Sequence, residues 1–224
     1  MKLYQADLSP FASRVRMQVY AKGLDHEAIT LELPPGGMGS AEFKRINPTG
    51  KIPALDTGSR VLPESEVICE YLEDRFPQPP LRPGSALDRA QTRLLARWVD
   101  MYGYPRMAPL YAQVDPASRD ADTLAAGLTA ADEALAILAR LLGDGGYSGG
   151  PFAVGSSLTL ADCALVPMLF FVDAVLPVLG RSQAFAAAPL VERYWRSASQ
   201  DAVAARIVGE MGTALAAMIQ TRAR

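Results

Sequence analysis

Residues 47–77, NPTGKIPALDTGSRVLPESEVICEYLEDRFP, decide the fold. Residues 51–56 form a short extended run with Pro53 inside it. Proline has no N–H to give to a ladder, so it enters such a run only where the backbone departs from the ordinary; a cis Ile52–Pro53 bond is one such departure. Thr57, Gly58 and Ser59 supply turn chemistry, and Val61 and Leu62 resume the strand. Val67, Ile68, Tyr71, Leu72 and Phe76 then follow at helical spacing, with Ser65 suited to cap the helix and Pro77 to stop it.

The ends of this strand–turn–strand–helix unit carry its chemistry. A helix N-terminus presents unpaired N–H groups and a partial positive charge, so it holds carboxylates well. Ser65 adds a hydroxyl, and Glu64 beside it pairs with an ammonium group. Anion donors next to a carboxylate suit an α-amino acid head. The backbone at Ile52, turned outward, suits pairing with an extended peptide. The expected ligand is a short peptide with a free amino-acid end.

NPTGKIPAL followed by PESEVICEYLED resembles the glutathione-binding half of the glutathione transferases. The resemblance implies that Ile52 and Pro53 hold the cysteinyl backbone of glutathione and that Glu64 and Ser65 hold its γ-glutamyl end. It also places Phe11 and Lys51 among the glutathione-binding positions. SPFASRVRMQVYAKGL resembles the first helix of the serine-type bacterial, plant and zeta-like members, which implies that Ser9 is the catalytic hydroxyl. A free thiol has a pKa near ~8.5, and a hydroxyl donor at a helix N-terminus favours its thiolate. Ser13, one turn deeper, and Tyr4, at the end of the first strand, are the alternatives for this role. The pattern departs from the family in LPPGGMGSAEF, where no cation stands ready for the glycine carboxylate; Lys44, Arg45 or Lys51 are the substitutes.

The rest of the first 77 residues completes a thioredoxin-like domain in the order βαβ then ββα. KLYQA is a strand. Ser9 and Pro10 open a helix that Gly23 closes, and Ile29, Leu31 and Leu33 alternate as a half-buried strand. A short helical piece is expected over residues 40–46. PQPPLRPGS marks a linker at about 78–86. Residues 87–224 form an all-helical second domain, so the fold class is α+β with an all-α C-terminal part. A long helix is expected over 88–111, bent at its far end by Pro105 and Pro109, then helices at about 118–142, 189–198 and 201–217. In GSSLTLADCALVPM, Thr159 and Asp162 have capping-box spacing and are given a folding role.

Composition removes other chemistries. His26 is the only histidine, in the polar turn LDHEA, which leaves no zinc spacing and no support for a Ser-His-Asp hydrolase. The net charge of −2 gives no electrostatic case for nucleic acid. No apolar run of membrane-spanning length and no signal segment is read in the chain, and Cys69 and Cys163 are read as buried free thiols, which suits a reducing cytoplasm.

The resemblance thus implies a cytoplasmic, homodimeric glutathione transferase with glutathione as co-substrate, no metal, and a small apolar electrophile as acceptor. Tyr102 and Tyr104 are the acceptor-site residues expected from the aromatic set near the broken helix. Two alternatives stand beside it: a zeta-like glutathione-dependent cis–trans isomerase, and a non-catalytic adaptor like the stringent-starvation proteins.

Overall fold

The strands expected in the first 80 residues form one sheet. A computed structural model describes residues 1–26 and 28–222; Glu27, part of the LDHEA turn, and residues 223–224 lie outside it. β1 (Lys2–Tyr4), β2 (Thr30–Glu32), β3 (Ala54–Asp56) and β4 (Val61–Pro63) are arranged in the order β2-β1-β3-β4. β1 and β2 are parallel, joined by the crossover helix α1 (Pro10–Ala21); the other two pairings are antiparallel. Leu3 and Leu55 are paired and fully buried. Leu33, expected on the buried face of β2, is 73% exposed because the strand ends at Glu32.

The helix signals act as the residues dictate. Ser9 caps α1, and Gly23, at φ +65°, closes it with the Leu24 N–H donating back to the Val19 carbonyl at 2.9 Å. Ser40 caps α2 (Ala41–Ile46). α3 (Ser65–Arg75) buries Ile68, Cys69 and Leu72, while Val67 is exposed. Buried Lys22 at the end of α1 donates to the carbonyls of Phe76 at 2.8 Å and Pro79 at 2.7 Å and pairs with Glu73 of α3 at 3.0 Å. Glu73 in turn accepts the Leu81 N–H at 2.8 Å. The first residues of the proline-rich linker are therefore fastened to the sheet domain.

The chain divides into two compact units, residues 1–81 with 202–224, and residues 82–201. The last helix, α9 (Ala202–Arg222), thus belongs with the sheet rather than with the helical stretch that precedes it in sequence. It packs on α1 through buried Ala204, Ile207 and Met211.

The second unit contains α4 (Ala86–Trp98), α5 (Tyr104–Ala112), α6 (Ala121–Asp144), α7 (Leu160–Val175) and α8 (Pro189–Ala198). The long helix expected over 88–111 is interrupted earlier than its prolines suggest, by a π-helical segment at Val99–Gly103. The Tyr104 N–H reaches back five residues to Val99 O, and Pro105, next in line, has no N–H with which to restore α register. Gly103 is required there: a Cβ would stand 2.8 Å from the Trp98 ring. α7 is the core helix, packed against α4, α5 and α8. Leu160–Leu179 and Ala202–Thr221 are, by length and composition, long and apolar enough to cross a membrane, contrary to the sequence reading; the first is 78% buried within the protein. Cys69 and Cys163 are free and buried.

Candidate functional site

Strand register assembles the site. Tyr4, Ala54 and Pro63 form one row across the sheet, with Glu32 beyond Tyr4. β1 and β4 leave the sheet at this row and β3 enters it. The residues just outside the row therefore share one end of the sheet: the loop to Ser9, the pair Ile52 and Pro53, and Glu64 with Ser65. Residues more than forty apart in sequence are brought together by three ladders of three residues each.

Ser9 is held on all but one of its hydrogen-bonding atoms. Its N–H donates to Ala6 O at 3.0 Å, its carbonyl accepts from the Ser13 N–H at 2.8 Å, and its Oγ accepts from the Ala12 N–H at 3.2 Å. Among the described residues no acceptor takes its hydroxyl hydrogen, which stands at the positive end of α1. The alternatives sit deeper. Ser13 is fully buried; its Oγ donates to Asp7 O at 3.2 Å and accepts from Arg16 at 2.9 Å. Tyr4 is buried with its ring edge-on to Phe43, the centroids 5.6 Å apart. Phe11 is half-buried, with the Arg14 guanidinium 5.5 Å from its ring centre.

The Ile52–Pro53 bond is cis. Ile52 packs against Tyr4, Phe43 and Ala54, and its N–H and C=O bond to no described residue. That leaves a donor and an acceptor at the bend just before β3, groups that a strand-like ligand would pair with. The loop is fixed from behind by Asn47, which is fully buried: its Nδ2 donates to Lys51 O at 2.7 Å and its Oδ1 accepts the Thr49 N–H at 3.2 Å. Lys44, Arg45 and Lys51 are exposed in this same segment.

Glu64, not Ser65, is the N-cap of α3; Ser65 is the first helical residue and is buried. The reason is backbone: Glu64 takes φ +68°, ψ +115°, the one non-glycine residue with positive φ among the described residues. The chain turns sharply there, so the helix begins one residue later than Ser65 would set as a cap. Such a conformation costs about 1–3 kcal/mol and is retained where the surroundings impose it. The Glu64 side chain makes no capping bond to α3, whose N-terminus begins right after it.

Tyr102 and Tyr104 lie in the second unit. Tyr102 is exposed within the π segment, with Arg106 over its ring at 5.6 Å. Tyr104 opens α5 and stacks obliquely on Tyr111 at 6.2 Å. Trp98, from the same aromatic set, is core. Sequence reasoning missed Asn47, Asp7 and Arg16. The NPTG turn signalled Asn47 through its tendency to bond backbone two residues on, whereas nothing local marked Asp7 or Arg16. Among the described residues, no cluster of three or more His, Cys, Asp or Glu side chains could hold a metal ion.

Residues 3–80 match the glutathione S-transferase N-terminal domain, and residues 121–199 match the C-terminal domain of the same family. The chain is 33% identical over 178 residues to glutathione S-transferase Z2 of Arabidopsis thaliana, covering 75% of each chain. It is 33% identical over 179 residues to maleylpyruvate isomerase of a Ralstonia species, covering 75% of this chain and 81% of that one. A glutathione S-transferase of Methylobacterium radiotolerans, solved in complex with glutathione sulfonate, superposes with a TM-score of 0.71 at 28% identity over 92% of this chain and 93% of that one. Matched in both its domains and along three quarters of a curated relative, the chain belongs to the glutathione S-transferase family.

Proposed function

We propose that this protein is a glutathione-dependent enzyme that binds the tripeptide across the sheet end, generates its thiolate beside Ser9, and adds that sulfur to an apolar electrophile. The observation that carries the reading is the shared register row, from which Ser9, Ile52 with Pro53, and Glu64 with Ser65 all emerge. The Ile52 N–H and C=O pair with the cysteinyl backbone of glutathione. The Glu64 carboxylate takes its ammonium group, and the N-terminus of α3 with the Ser65 hydroxyl takes its γ-glutamyl carboxylate. Lys51, Lys44 or Arg45 meets the glycine carboxylate, and Phe11 flanks the site.

Ser9 donates its hydroxyl hydrogen to sulfur, and the N-terminal field of α1 adds to the preference for the anion. Each pKa unit so gained is about 1.4 kcal/mol, or tenfold in thiolate. In conjugation the sulfur lone pair forms a C–S bond and the leaving group departs with its electron pair. Tyr102 and Tyr104 are the proposed acceptor-site residues, and the protein is proposed to act in the cytoplasm as a homodimer.

A second reading is favoured by the Ralstonia relative, whose name is an isomerase. There the thiolate adds to a cis double bond, the resulting single bond rotates, and the thiolate leaves with the trans product, glutathione being regenerated. One experiment decides. The protein is applied to immobilised glutathione and assayed with a chlorinated nitrobenzene and with a cis-enone acid. Retention with turnover of the first supports conjugation, and turnover of the second supports isomerisation. Failure to be retained, with neither substrate turned over, would return the chain to a binding role such as an adaptor's.

A further inference from the structure

We propose that Arg16 is the positioning residue for Ser9 and that Glu210 ties the last helix to it, so that α9 sets the placement of the nucleophile-activating loop. The inference rests on the reading of Ser9 given above.

Asp7 stands two residues before Ser9, in the loop that delivers it. One side chain reaches both its carboxylate and its carbonyl: the Asp7 carboxylate pairs with Arg16 Nη1, and the Asp7 carbonyl accepts from Arg16 Nη2 at 2.9 Å, while Gln5 Nε2 also donates to the carboxylate at 3.2 Å. The same Nη2 donates to Ser13 Oγ at 2.9 Å, which in turn donates to Asp7 O. The loop is therefore bound to the helix one and two turns below Ser9. Arg16 is 1% exposed, and a guanidinium that deep needs its charge answered. Asp7 answers it in part, but its side chain is half in solvent. The second carboxylate is Glu210 of α9, 3.1 Å from Arg16 Nη1.

Glu210 is itself fixed. The Tyr20 hydroxyl donates to it at 3.1 Å and Arg206 Nε at 3.2 Å, while Arg206 lies 3.5 Å over the Tyr20 ring and bonds Asp25 at 2.9 Å. Burial pushes the Tyr20 phenol up to about 12, so it stays a donor at any physiological pH. Between Asp7 and α9 lies an open groove of ≈ 420 Å³, floored by small residues such as Gly209 and Thr213. Across that groove the joint between loop and helix is the polar bridge through Arg16. Removing Glu210 leaves the buried Arg16 charge to the partly solvated Asp7 carboxylate, with Ser13 and Gln5 as the remaining neutral partners, and loosens the loop that carries Ser9. Ile52, Glu64 and Ser65 have no part in the bridge, so tripeptide binding and sulfur activation separate.

The test titrates the thiol of bound glutathione, by ultraviolet thiolate absorbance, in the full-length wild type and in Glu210→Gln and Asp7→Asn, with glutathione affinity measured by calorimetry. Asp7 is half-exposed, so its variant keeps the test open should Glu210→Gln fold poorly. Arg196→Ala, which breaks an exposed pair with Glu192, is the control. The expected result is a rise of about one unit in the bound thiol's pKa in each bridge variant, a tenfold loss of thiolate. Affinity stays within about twofold of wild type, and the control does not move. Bridge variants that melt lower yet titrate like wild type would reduce the bridge to a structural ion pair and overturn the proposal. A wild type that binds glutathione without lowering its thiol pKa would overturn the Ser9 reading and the proposal together.

Discussion

The Ser9 hydroxyl caps α1 and is proposed to face sulfur as well, so one substitution removes both. As the cap of α1 its oxygen accepts from Ala12, and in the proposed reaction its hydrogen faces sulfur. Ser9→Ala is expected to lower stability by about 1 kcal/mol, the usual worth of a cap, seen as a shift in urea midpoint. It is also expected to cut turnover by about tenfold or more, equal to one unit of lost thiol activation, while affinity for glutathione holds. An unchanged rate would move the role to Ser13, whose hydroxyl is bonded to Asp7 and Arg16, or to Tyr4, which is buried against Phe43. Glu64 gives the opposite pairing of effects. Glycine adopts φ +68° freely, so Glu64→Gly is expected to stabilise the fold by about 1 kcal/mol while weakening glutathione binding through loss of the carboxylate. A destabilised variant in thermal melts would mean that the conformation at Glu64 carries no strain.

At the scale of the element, the start of α7 shows a local motif completed by distant chain. The Thr159 N–H and hydroxyl give bonds to Asp162 Oδ2 at 2.8 and 3.0 Å, as the capping-box spacing foretells. The Ala153 N–H and the Tyr194 hydroxyl reach Oδ1 at 2.7 and 2.8 Å, which no local pattern announces. Asp162 is thereby buried with four donors. Its carboxyl is pushed above the ordinary range by burial, against the pull of those hydrogen bonds. An amide presents N–H₂ to one of the two backbone donors, so Asp162→Asn is expected to cost about 1–3 kcal/mol at neutral pH. The pH dependence follows from the raised folded value. Between about 3.9, the unfolded reference, and that value the native state holds the extra proton, so this group's contribution is full below the reference and is lost as pH rises. The stability gap between wild type and Asp162→Asn is therefore expected to widen as pH falls toward 4 in a series of urea titrations. A gap that narrows would show that the hydrogen bonds outweigh burial.

At the scale of the whole molecule, the order of the chain and the order of the units differ. The last helix returns to the sheet unit, buries Ile207 and Met211 there, and supplies Glu210 to Arg16. Ending the chain at Asp201 is expected to strip these contacts. Burial of each large apolar side chain is worth about 1.5–3 kcal/mol, so the sheet unit should unfold well below the helical unit, giving two calorimetric transitions. A single transition at the wild-type temperature would show that α9 is dispensable to the sheet unit.

Local sequence determined the thioredoxin-like order of elements, both ends of α1, the caps of α2 and α7, and the turn that carries Ile52 and Pro53, because each depends on residues within a few positions of one another. It marked Ser9, Glu64 and Ser65 as residues of the right chemistry. Tertiary structure decided that they lie at one end of the sheet. The row Tyr4–Ala54–Pro63 is a pairing of distant strands, and no spacing along the chain encodes it. It also decided the left-handed turn at Glu64, the π segment before Pro105, the return of α9 and the burial of Arg16 between two carboxylates, since desolvation and long-range charge pairing arise only once segments far apart in sequence are packed together.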